Sequence, residues 1–287
     1  MFLRCGSFTL SLDRPLLMGV VNVTPDSFSD GGLYATAESA VAHARTLIEE
    51  GADLLDIGGE STRPGASPVG LEEERRRTLP VIEALAGCGV PVSIDTRKPE
   101  LMRDAIRSGA SMVNDIGALE SPEARDILAQ SSAAVCLMHK QGEPQTMQVD
   151  PHYGDVVAEV RDYLLERVSV AAAAGIARER IVIDPGFGFG KTYEHNLALL
   201  KALPELAAIG VPVLAGLSRK AMLGRITGRG PQARVAASVA AALYAAVQGA
   251  RILRVHDVTE TRDALSVWAA MAGTIGVFST PPPGQNA

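Results

Sequence analysis

The sequence 90-VPVSIDTRKPELMRDAIRSGASMVND-115 contains one complete strand–helix–strand unit. Residues 90–94 and 112–113 are short apolar runs, which are typical of parallel strands buried on both faces. Between them, residues 99–108 have the pattern of an amphipathic helix, and Gly109 follows as a residue that commonly ends one. The segment therefore predicts two parallel strands joined by a helix.

The same unit recurs along the whole chain. Six further apolar runs lie at residues 16–21, 54–57, 133–138, 181–183, 211–214 and 252–255. Helix-like segments separate the runs, and a glycine precedes the next strand at Gly51, Gly109, Gly175, Gly210 and Gly249. Eight strand–helix units in 287 residues predict a single (β/α)8 TIM barrel of the α/β class. A doubly wound open sheet stays as the alternative, because the sequence does not show whether the sheet closes.

The domain boundaries follow from the same spacing. The repeats predict one barrel domain over residues 1–280, because no Gly/Pro/Ser-rich linker divides them. Residues 281–287 include three consecutive prolines and are expected to form a flexible tail. The first dozen residues are expected to form a short N-terminal hairpin across the bottom of the barrel.

The composition excludes several classes of protein. With 47% hydrophobic and 21% charged residues, the chain is too apolar to be disordered. No run approaches the roughly 20 apolar residues of a membrane helix. The net charge is −6 and the longest basic run is Arg75 to Arg77, which argues against a nucleic-acid partner. Three scattered cysteines (Cys5, Cys88 and Cys136) and an N-terminus without a signal-peptide pattern predict a cytoplasmic protein.

Polar residues follow every one of the eight predicted strands. In a (β/α)8 barrel the active site lies at the carboxyl ends of the strands and in the loops after them. The residues at these positions include Asn22, Asp56, Asp95, Asn114, His139, Asp184, Ser218, Lys220, Arg254 and His256. A single aspartate after a strand is more often a helix cap than a catalytic group. A ring of polar groups on all eight strands instead predicts a binding site at one mouth of the barrel.

Basic side chains are concentrated in these loops, although the protein is acidic. Five of them follow strands, namely Arg63, Arg219, Lys220, Arg254 and His256. Taken singly, each could form a surface ion pair, but together they predict a site for a phosphate or diphosphate anion. Asp95, Asn114 and Asp184 could bind a polar planar heterocycle, because a carboxylate pairs well with adjacent N–H donors.

Several familiar motifs are incomplete in this sequence. Residues 186–192 are similar to a phosphate-binding loop, but Pro185 stands where that motif requires glycine. Gly186 and Gly188 are not followed by the third glycine of a dinucleotide-binding fingerprint. The histidines show no zinc-ligand spacing, and Ser218 does not lie in the GxSxG motif of a nucleophilic serine.

At its strand ends the chain resembles the dihydropteroate synthase family of folate biosynthesis. The resemblance extends from Gly19 to about Ala272 and rests on motifs in order: 22-NVTPDSFSDGG-32, 58-GGESTRPG-65, 93-SIDT-96, 114-ND-115, 138-MH-139, 184-DPGFGFGK-191, 218-SRK-220 and 254-RVHDV-258. It implies a transferase that joins 6-hydroxymethyl-7,8-dihydropterin diphosphate to 4-aminobenzoate, releasing diphosphate and 7,8-dihydropteroate. It also implies a Mg²⁺-dependent cytoplasmic homodimer that sulfonamides inhibit.

The resemblance also implies roles for individual residues. The pterin would be bound by Asp95, Asn114, Met138, Asp184, Phe189, Lys220 and Arg254. The diphosphate would be bound by Thr62, Arg63, Arg254 and His256, and Mg²⁺ by Asn22. The 4-aminobenzoate would lie among Phe28, Pro64, Phe189 and Ser218. Catalysis is expected to depend on Asp95, Lys220 and Arg254.

The residue types agree with a dissociative, SN1-like reaction. Loss of diphosphate leaves positive charge on the pterin methylene, which a fixed carboxylate such as Asp95 could stabilise. An aromatic amine is largely neutral at pH 7 and needs no strong base to attack. Two alternatives stay open: a pterin-binding methyltransferase with the same barrel, and a non-catalytic paralogue. The loop at residues 22–32 and the run at residues 218–220 argue against the first, and the retained site residues argue against the second.

Overall fold

An antiparallel hairpin begins the chain. The computed structural model describes residues 1–23, 32–60, 68–142 and 146–273, leaving aside the side chains of residues 32–36. The hairpin consists of β1 (Phe2–Cys5) and β2 (Phe8–Ser11), with Cys5 paired to Phe8 beside the turn. Gly6 in that turn has a φ of 62°, and its N–H donates to the carbonyl of Ser132 at 3.1 Å. The predicted N-terminal hairpin is therefore confirmed.

Eight parallel strands follow the hairpin. They are β3 (Leu16–Asn22), β4 (Leu54–Gly58), β5 (Val92–Asp95), β6 (Met112–Asp115), β7 (Ala134–Met138), β8 (Ile181–Asp184), β9 (Leu214–Ala215) and β10 (Ile252–Val255). Their order in the sheet is β8-β7-β6-β5-β4-β3-β10-β9. Val213, just before β9, bridges Ile183 of β8, and the Ile183 N–H donates to Pro212 O at 3.0 Å. The sheet therefore closes into the predicted barrel, and the open-sheet alternative is wrong.

The helices lie between the strands, as the repeated units predict. They are α1 (Gly32–Glu49), α2 (Leu71–Ala84), α3 (Pro99–Arg107), α4 (Pro122–Ala129), α5 (Val156–Ala173), α6 (Tyr193–Lys201), α7 (Leu203–Ala207), α8 (Ala221–Thr227), α9 (Val235–Val247) and α10 (Val258–Met271). None of the helices in the described ranges has the length and apolar character needed to cross a membrane. The predicted tail at residues 281–287 lies outside the described residues, so the domain boundary at 280 stays a prediction.

The alternation of side chains along the strands divides the apolar core into two parts. One part lies between the barrel and the helices and includes outward-facing residues such as Leu55, Val113 and Leu253. The other fills the barrel below the polar mouth and consists of Leu3, Cys5, Leu12, Leu16, Met18, Leu54, Met112, Ala134, Cys136, Val182, Leu214 and Ile252. Because this second part includes hairpin residues and the first residues of several strands, the hairpin covers the bottom of the barrel. A site must therefore open at the opposite end.

Candidate active site

Strand alternation brings the predicted polar residues to the inside of the barrel mouth. The first residues of β4, β6 and β10 point into the apolar floor, so residues two positions later also point inward, nearer the mouth. These are Asp56, Asn114 and Arg254. The strand register places Asp95 beside Asn114 and Asp184 beside Met138. Residues far apart in sequence are thus neighbours at the carboxyl ends of the strands.

The Arg254 guanidinium lies at the centre of this polar cluster. Its Nε donates to Asp56 Oδ2 at 2.6 Å, and its Nη2 donates to Asp95 Oδ2 at 3.1 Å. Asn114 Nδ2 donates to the same Asp56 oxygen at 3.0 Å. The four side chains come from β10, β4, β5 and β6. The fully buried Asp56 carboxylate therefore fixes both Arg254 and Asn114 in the barrel.

Burial changes the acid–base behaviour of the carboxylates in the mouth. Burial and the nearby Asp56 carboxylate raise the pKa of Asp95 to about 7, against the opposing effect of Arg254. Burial also raises the pKa of Asp184, although the Gly186 N–H, which donates to its Oδ1 at 2.7 Å, partly offsets this. Burial lowers the pKa of Arg254, but Asp56 and Asp95 outweigh this and raise it. The mouth thus holds a fixed cation beside a carboxyl group that titrates near neutral pH.

Three buried polar atoms of the barrel interior have no hydrogen-bond partner among the described residues. They are Asp56 Oδ1, Asn114 Oδ1 and Ser93 Oγ. An unsatisfied buried polar group costs about 1–3 kcal/mol, so such atoms mark places where a ligand can supply the missing partner. Two acceptor oxygens and a hydroxyl suit a planar heterocycle with adjacent N–H donors.

The loops after β8 and β9 form another part of the mouth. The Lys220 Nζ lies 4.3 Å from the centre of the Phe189 ring, in a cation–π contact. The Ser218 Oγ lies 2.9 Å from His256 Nδ1 and accepts the His256 backbone N–H at 3.3 Å. His256 directly follows β10, the strand that carries Arg254. An aromatic face, an ammonium and an imidazole therefore accompany the Arg254 cluster.

Comparisons with known proteins identify the family. A family model described as pterin binding enzyme matches residues 18–256. The chain is also 53% identical over 275 residues to the dihydropteroate synthase of Neisseria meningitidis serogroup B, and the match covers 93% of this chain and 96% of that one. The chain belongs to the dihydropteroate synthase family. Members of this family are transferases, and this chain is one of them.

Solved structures of dihydropteroate synthases have the same fold. The Xanthomonas albilineans enzyme with 4-aminobenzoic acid is 57% identical, with a TM-score of 0.89 and coverage of 94% of this chain and 98% of that one. The Yersinia pestis enzyme in a sulfonamide drug complex is 46% identical, with a TM-score of 0.90 and coverage of 95% and 100%. The resemblance that the motifs indicate is therefore confirmed, and the relatives favour the synthase over a methyltransferase.

The structure brings together those predicted site residues of the synthase family that lie in its described ranges. They are Asn22, Asp95, Asn114, Met138, Asp184, Phe189, Ser218, Lys220, Arg254 and His256. Four other predicted site residues, Phe28, Thr62, Arg63 and Pro64, lie outside the described residues. The ligand assigned to each residue stays a prediction.

Asn22 is the residue for which the family resemblance implies Mg²⁺ binding. A Cβ atom at Gly58 would lie 3.8 Å from Asn22 Oδ1 and 3.8 Å from Asp95 Oδ2. Gly58 therefore leaves space between two oxygen atoms, and oxygen is the ligand type that Mg²⁺ prefers. In the described ranges, no group of three or more His, Cys, Asp or Glu side chains could hold a metal ion. A Mg²⁺ ion here would take most of its ligands from water and substrate phosphate, as is usual for this ion.

Sequence reasoning gave no binding role to Asp56, yet this residue organises the cluster. Its side chain is fully buried and contacts both Arg254 and Asn114. A signal was present in the sequence, because Asp56 is two positions after Leu54 in an otherwise apolar strand. An inward-facing charge in a barrel strand needs a partner from another strand.

Lys191 is a second residue whose contribution the sequence did not reveal. Its Nζ lies 2.9 Å from His139 Nδ1 and donates to the Phe189 carbonyl at 3.0 Å. Burial lowers the pKa of Lys191 to about 7, and burial together with Lys191 lowers the pKa of His139 to about 3. Lys191 thus attaches the loop that carries Phe189 to the end of β7.

Proposed function

We propose that the barrel mouth joins 6-hydroxymethyl-7,8-dihydropterin diphosphate to 4-aminobenzoate by a dissociative reaction. The observation that carries this proposal is the inward-facing cluster of Asp56, Asp95, Asn114 and Arg254, which has unsatisfied acceptor atoms beside a fixed cation. The bond between the pterin methylene carbon and the diphosphate oxygen breaks, and both electrons leave with diphosphate. The amine nitrogen of 4-aminobenzoate then forms the new C–N bond and loses a proton to solvent.

The pterin ring fits the acceptor-rich part of the mouth. Asp95, Asn114 and Asp184 offer oxygen atoms to the N–H groups of the ring edge, and Met138 lies beside Asp184 in the strand register. Lys220 borders the same space and contacts the Phe189 ring. The orphan Asn114 Oδ1 gains a partner when a donor of the ring binds.

The charges of the mouth favour separation of the two products of bond cleavage. The ionised Asp95 carboxylate stabilises the positive charge that develops on the pterin methylene. Arg254 and His256 stabilise the departing diphosphate, and Thr62 and Arg63 are expected to join them. Asp56 keeps the Arg254 guanidinium in place through the 2.6 Å bond to Nε. The positive charge on the pterin methylene and the negative charge on diphosphate are therefore stabilised by different atoms of one connected network.

The 4-aminobenzoate fits next to the pterin methylene. Phe189 and Ser218 border this space in the described part of the chain, and Phe28 and Pro64 are expected to complete it. The amine of 4-aminobenzoate is largely neutral at pH 7, so it needs no general base. The reaction requires only that the amine is held next to the pterin methylene carbon. The sulfonamide in the Yersinia pestis relative supports inhibition of this chain by sulfonamides, which should be relieved by excess 4-aminobenzoate.

The proposal also includes a Mg²⁺ ion next to the diphosphate of the substrate. Asn22 would hold the ion, and the space beside Gly58 fits oxygen ligands, as described above. The bound ion would supply positive charge to the phosphate oxygens. We expect EDTA to abolish product formation and added Mg²⁺ to restore it. Asn22→Ala should raise the Mg²⁺ concentration needed for half-maximal binding of the diphosphate substrate, measured by calorimetry.

The reaction is tested by following both products. Diphosphate release should require both substrates and Mg²⁺, and mass spectrometry should detect 7,8-dihydropteroate in the same samples. Omitting 4-aminobenzoate is the control for simple hydrolysis of the pterin diphosphate. Purified protein that forms no dihydropteroate under these conditions would contradict the proposal.

We further propose a homodimer in the cytoplasm. Tyr244 and Val247 on α9 and Val267 on α10 are exposed apolar side chains on two helices that pack against each other. A second copy of the chain can bury such a face. Light scattering should give twice the monomer mass, and Val267→Glu should lower it. The thiols of Cys5 and Cys136 are free, as is usual in a reducing compartment.

A further inference from the structure

The turn after β9 presents two site residues that are separated by a single residue. The Lys220 N–H donates to the Leu217 carbonyl at 3.2 Å and closes a four-residue turn. Arg219, the third residue of this turn, has a φ of 60°. This left-handed conformation favours glycine or asparagine at that position and is unfavourable for other residues. It allows Ser218 and Lys220, on the two sides of Arg219, to reach His256 and Phe189 in the mouth.

The Arg219 side chain forms an ion pair with Asp257. Its Nη2 donates to Asp257 Oδ1 at 2.6 Å and its Nε donates to Asp257 Oδ2 at 3.4 Å. The Asp257 side chain is 11% exposed and lies directly before α10. The remaining Nη1 donates to Gln232 Oε1 at 3.1 Å. The guanidinium is therefore engaged by a carboxylate, although the sequence grouped Arg219 with the cations of an anion site.

Two neighbours fix the backbone of the same turn. The Arg219 N–H donates to Ser238 Oγ at 2.9 Å, and the Ser238 hydroxyl donates to the Arg234 carbonyl at 2.7 Å. Arg234 Nη1 donates to the carbonyls of Arg219 at 2.9 Å and Lys220 at 3.3 Å. The side chain of Arg219 and the backbone on both sides of it are thus attached to α9, α10 and the residues that precede these helices.

We propose that Arg219 is a positioning residue: its ion pair with Asp257 holds the left-handed turn from which Ser218 and Lys220 reach the substrates. The inference rests on the proposed function, in which Ser218 contacts 4-aminobenzoate and Lys220 contacts the pterin. Arg219 acts through the backbone and makes no contact with either substrate. The ion pair of its guanidinium offsets the unfavourable left-handed backbone conformation, which glycine would adopt without this cost.

Two substitutions of Arg219 distinguish a backbone role from a direct role. Arg219→Ala removes the ion pair and keeps a residue that disfavours a φ of 60°. Arg219→Gly removes the same guanidinium but adopts this conformation freely. We expect kcat/KM for 4-aminobenzoate to fall about tenfold in the alanine variant and to stay within about threefold of the parent in the glycine variant. Equal losses in both variants would overturn the inference, because the guanidinium itself would then be required.

Hydrogen exchange provides a measurement that does not depend on activity. The Lys220 amide is bonded to Leu217 only while the turn is closed, so it should exchange faster in Arg219→Ala and near the parental rate in Arg219→Gly. Gln232→Ala removes only the outer bond of Arg219 and is the matched control, which should leave exchange and kinetics unchanged. Unchanged exchange in Arg219→Ala would contradict the inference.

The design separates failure of this inference from failure of the proposed function. A parent protein that forms no dihydropteroate would contradict the function, while the exchange comparison would still test the turn. If Arg219→Ala does not accumulate as folded protein, Asp257→Asn replaces it, because this change removes the partner charge and leaves Arg219 in place. Faster exchange of the Lys220 amide in Asp257→Asn supports the inference, and parental exchange overturns it.

Discussion

Asp95→Asn should raise the stability of the ligand-free protein while it lowers turnover. Burial and the Asp56 carboxylate raise the pKa of Asp95 to about 7, from an ordinary value of 3.8. Between these two pH values the folded protein keeps a proton that the unfolded chain releases, so the stability contributed by this group falls as the pH rises. At pH 8 the buried carboxylate is charged, and the folded protein is destabilised by the full free energy that corresponds to the pKa shift. At pH 5 only a smaller part of this destabilisation is present.

The size of the effect follows from the pKa and the contacts of Asp95. A shift of about three units corresponds to about 4 kcal/mol at pH 8. Asparagine avoids this cost, and the pKa of about 7 already includes the opposing attraction of Arg254. We therefore expect a gain of about 4 kcal/mol at pH 8, which raises the midpoint of thermal unfolding by about 7 °C. At pH 5 the gain should fall to about 1–2 kcal/mol.

The same substitution removes the negative charge proposed to stabilise the pterin methylene cation. We expect kcat to fall at least about 100-fold, since a preorganised group acting on transition-state charge has an effect of this size. The KM for the pterin substrate should change less than about fivefold, because asparagine keeps one acceptor oxygen. Thermal unfolding at pH 5 and pH 8 and steady-state kinetics of dihydropteroate formation, on the same preparation, measure both effects.

Asp115→Asn is the matched control for this experiment. Asp115 is buried on the neighbouring strand, but its carboxylate accepts the backbone N–H groups of Gly117 and Leu119, both at 2.7 Å. Burial also raises the pKa of Asp115 to about 6, so its replacement removes a similar cost at pH 8, while asparagine keeps only one of the two acceptors. We therefore expect a smaller gain than for Asp95→Asn at pH 8, with kcat unchanged. A lower unfolding midpoint for Asp95→Asn at pH 8, or an equal gain at both pH values, would refute the reasoning.

Two other substitutions test the packing and the electrostatics of the mouth. Gly186→Ala should cost more than about 3 kcal/mol in denaturant titrations, because its Cβ would lie 1.9 Å from His139 O at a φ of 68°. Gly175→Ala has a φ of 92° and no atom within 4 Å, so it should cost only about 1 kcal/mol, and a similar loss for both would contradict the argument. Asp56→Asn should move the acidic limb of the kcat/KM profile to lower pH, since the Asp56 charge raises the pKa of Asp95. An acidic limb at its original pH would show that burial alone sets this pKa.

The barrel could be predicted because its signals are local. Buried parallel strands require short apolar runs, and the run at residues 252–255 coincides with β10 (Ile252–Val255). The run at residues 211–214 agrees less well with β9, which covers only Leu214–Ala215. Pro212 lies within that run and has no N–H to extend the ladder toward β8. The apolar pattern of the sequence predicts burial of this run, but it does not show that a backbone N–H is missing at Pro212.

The site could be predicted only in part, because some of its contacts are not local. The position of a residue at the end of a predicted strand is a local property, and it correctly placed Asp95, Asn114 and Arg254 at one mouth. The inward position of Asp56 could be inferred from its spacing after Leu54, but only the structure shows that its partners are Arg254 and Asn114. The left-handed backbone of Arg219 has no local signal at all, since the turn would favour glycine there.

The pairing that joins β10 to β3 has a consequence for synthesis of the protein. Ile252 pairs with Leu16, so almost the entire chain lies between the two strands that this contact joins. While the ribosome is still adding the last helices, β3 exposes a row of unsatisfied backbone groups on a strand made largely of apolar residues. Such an edge can pair with other nascent chains, and contacts of this sequence separation form slowly. Premature termination before residue 252 should therefore yield aggregates instead of a smaller soluble domain.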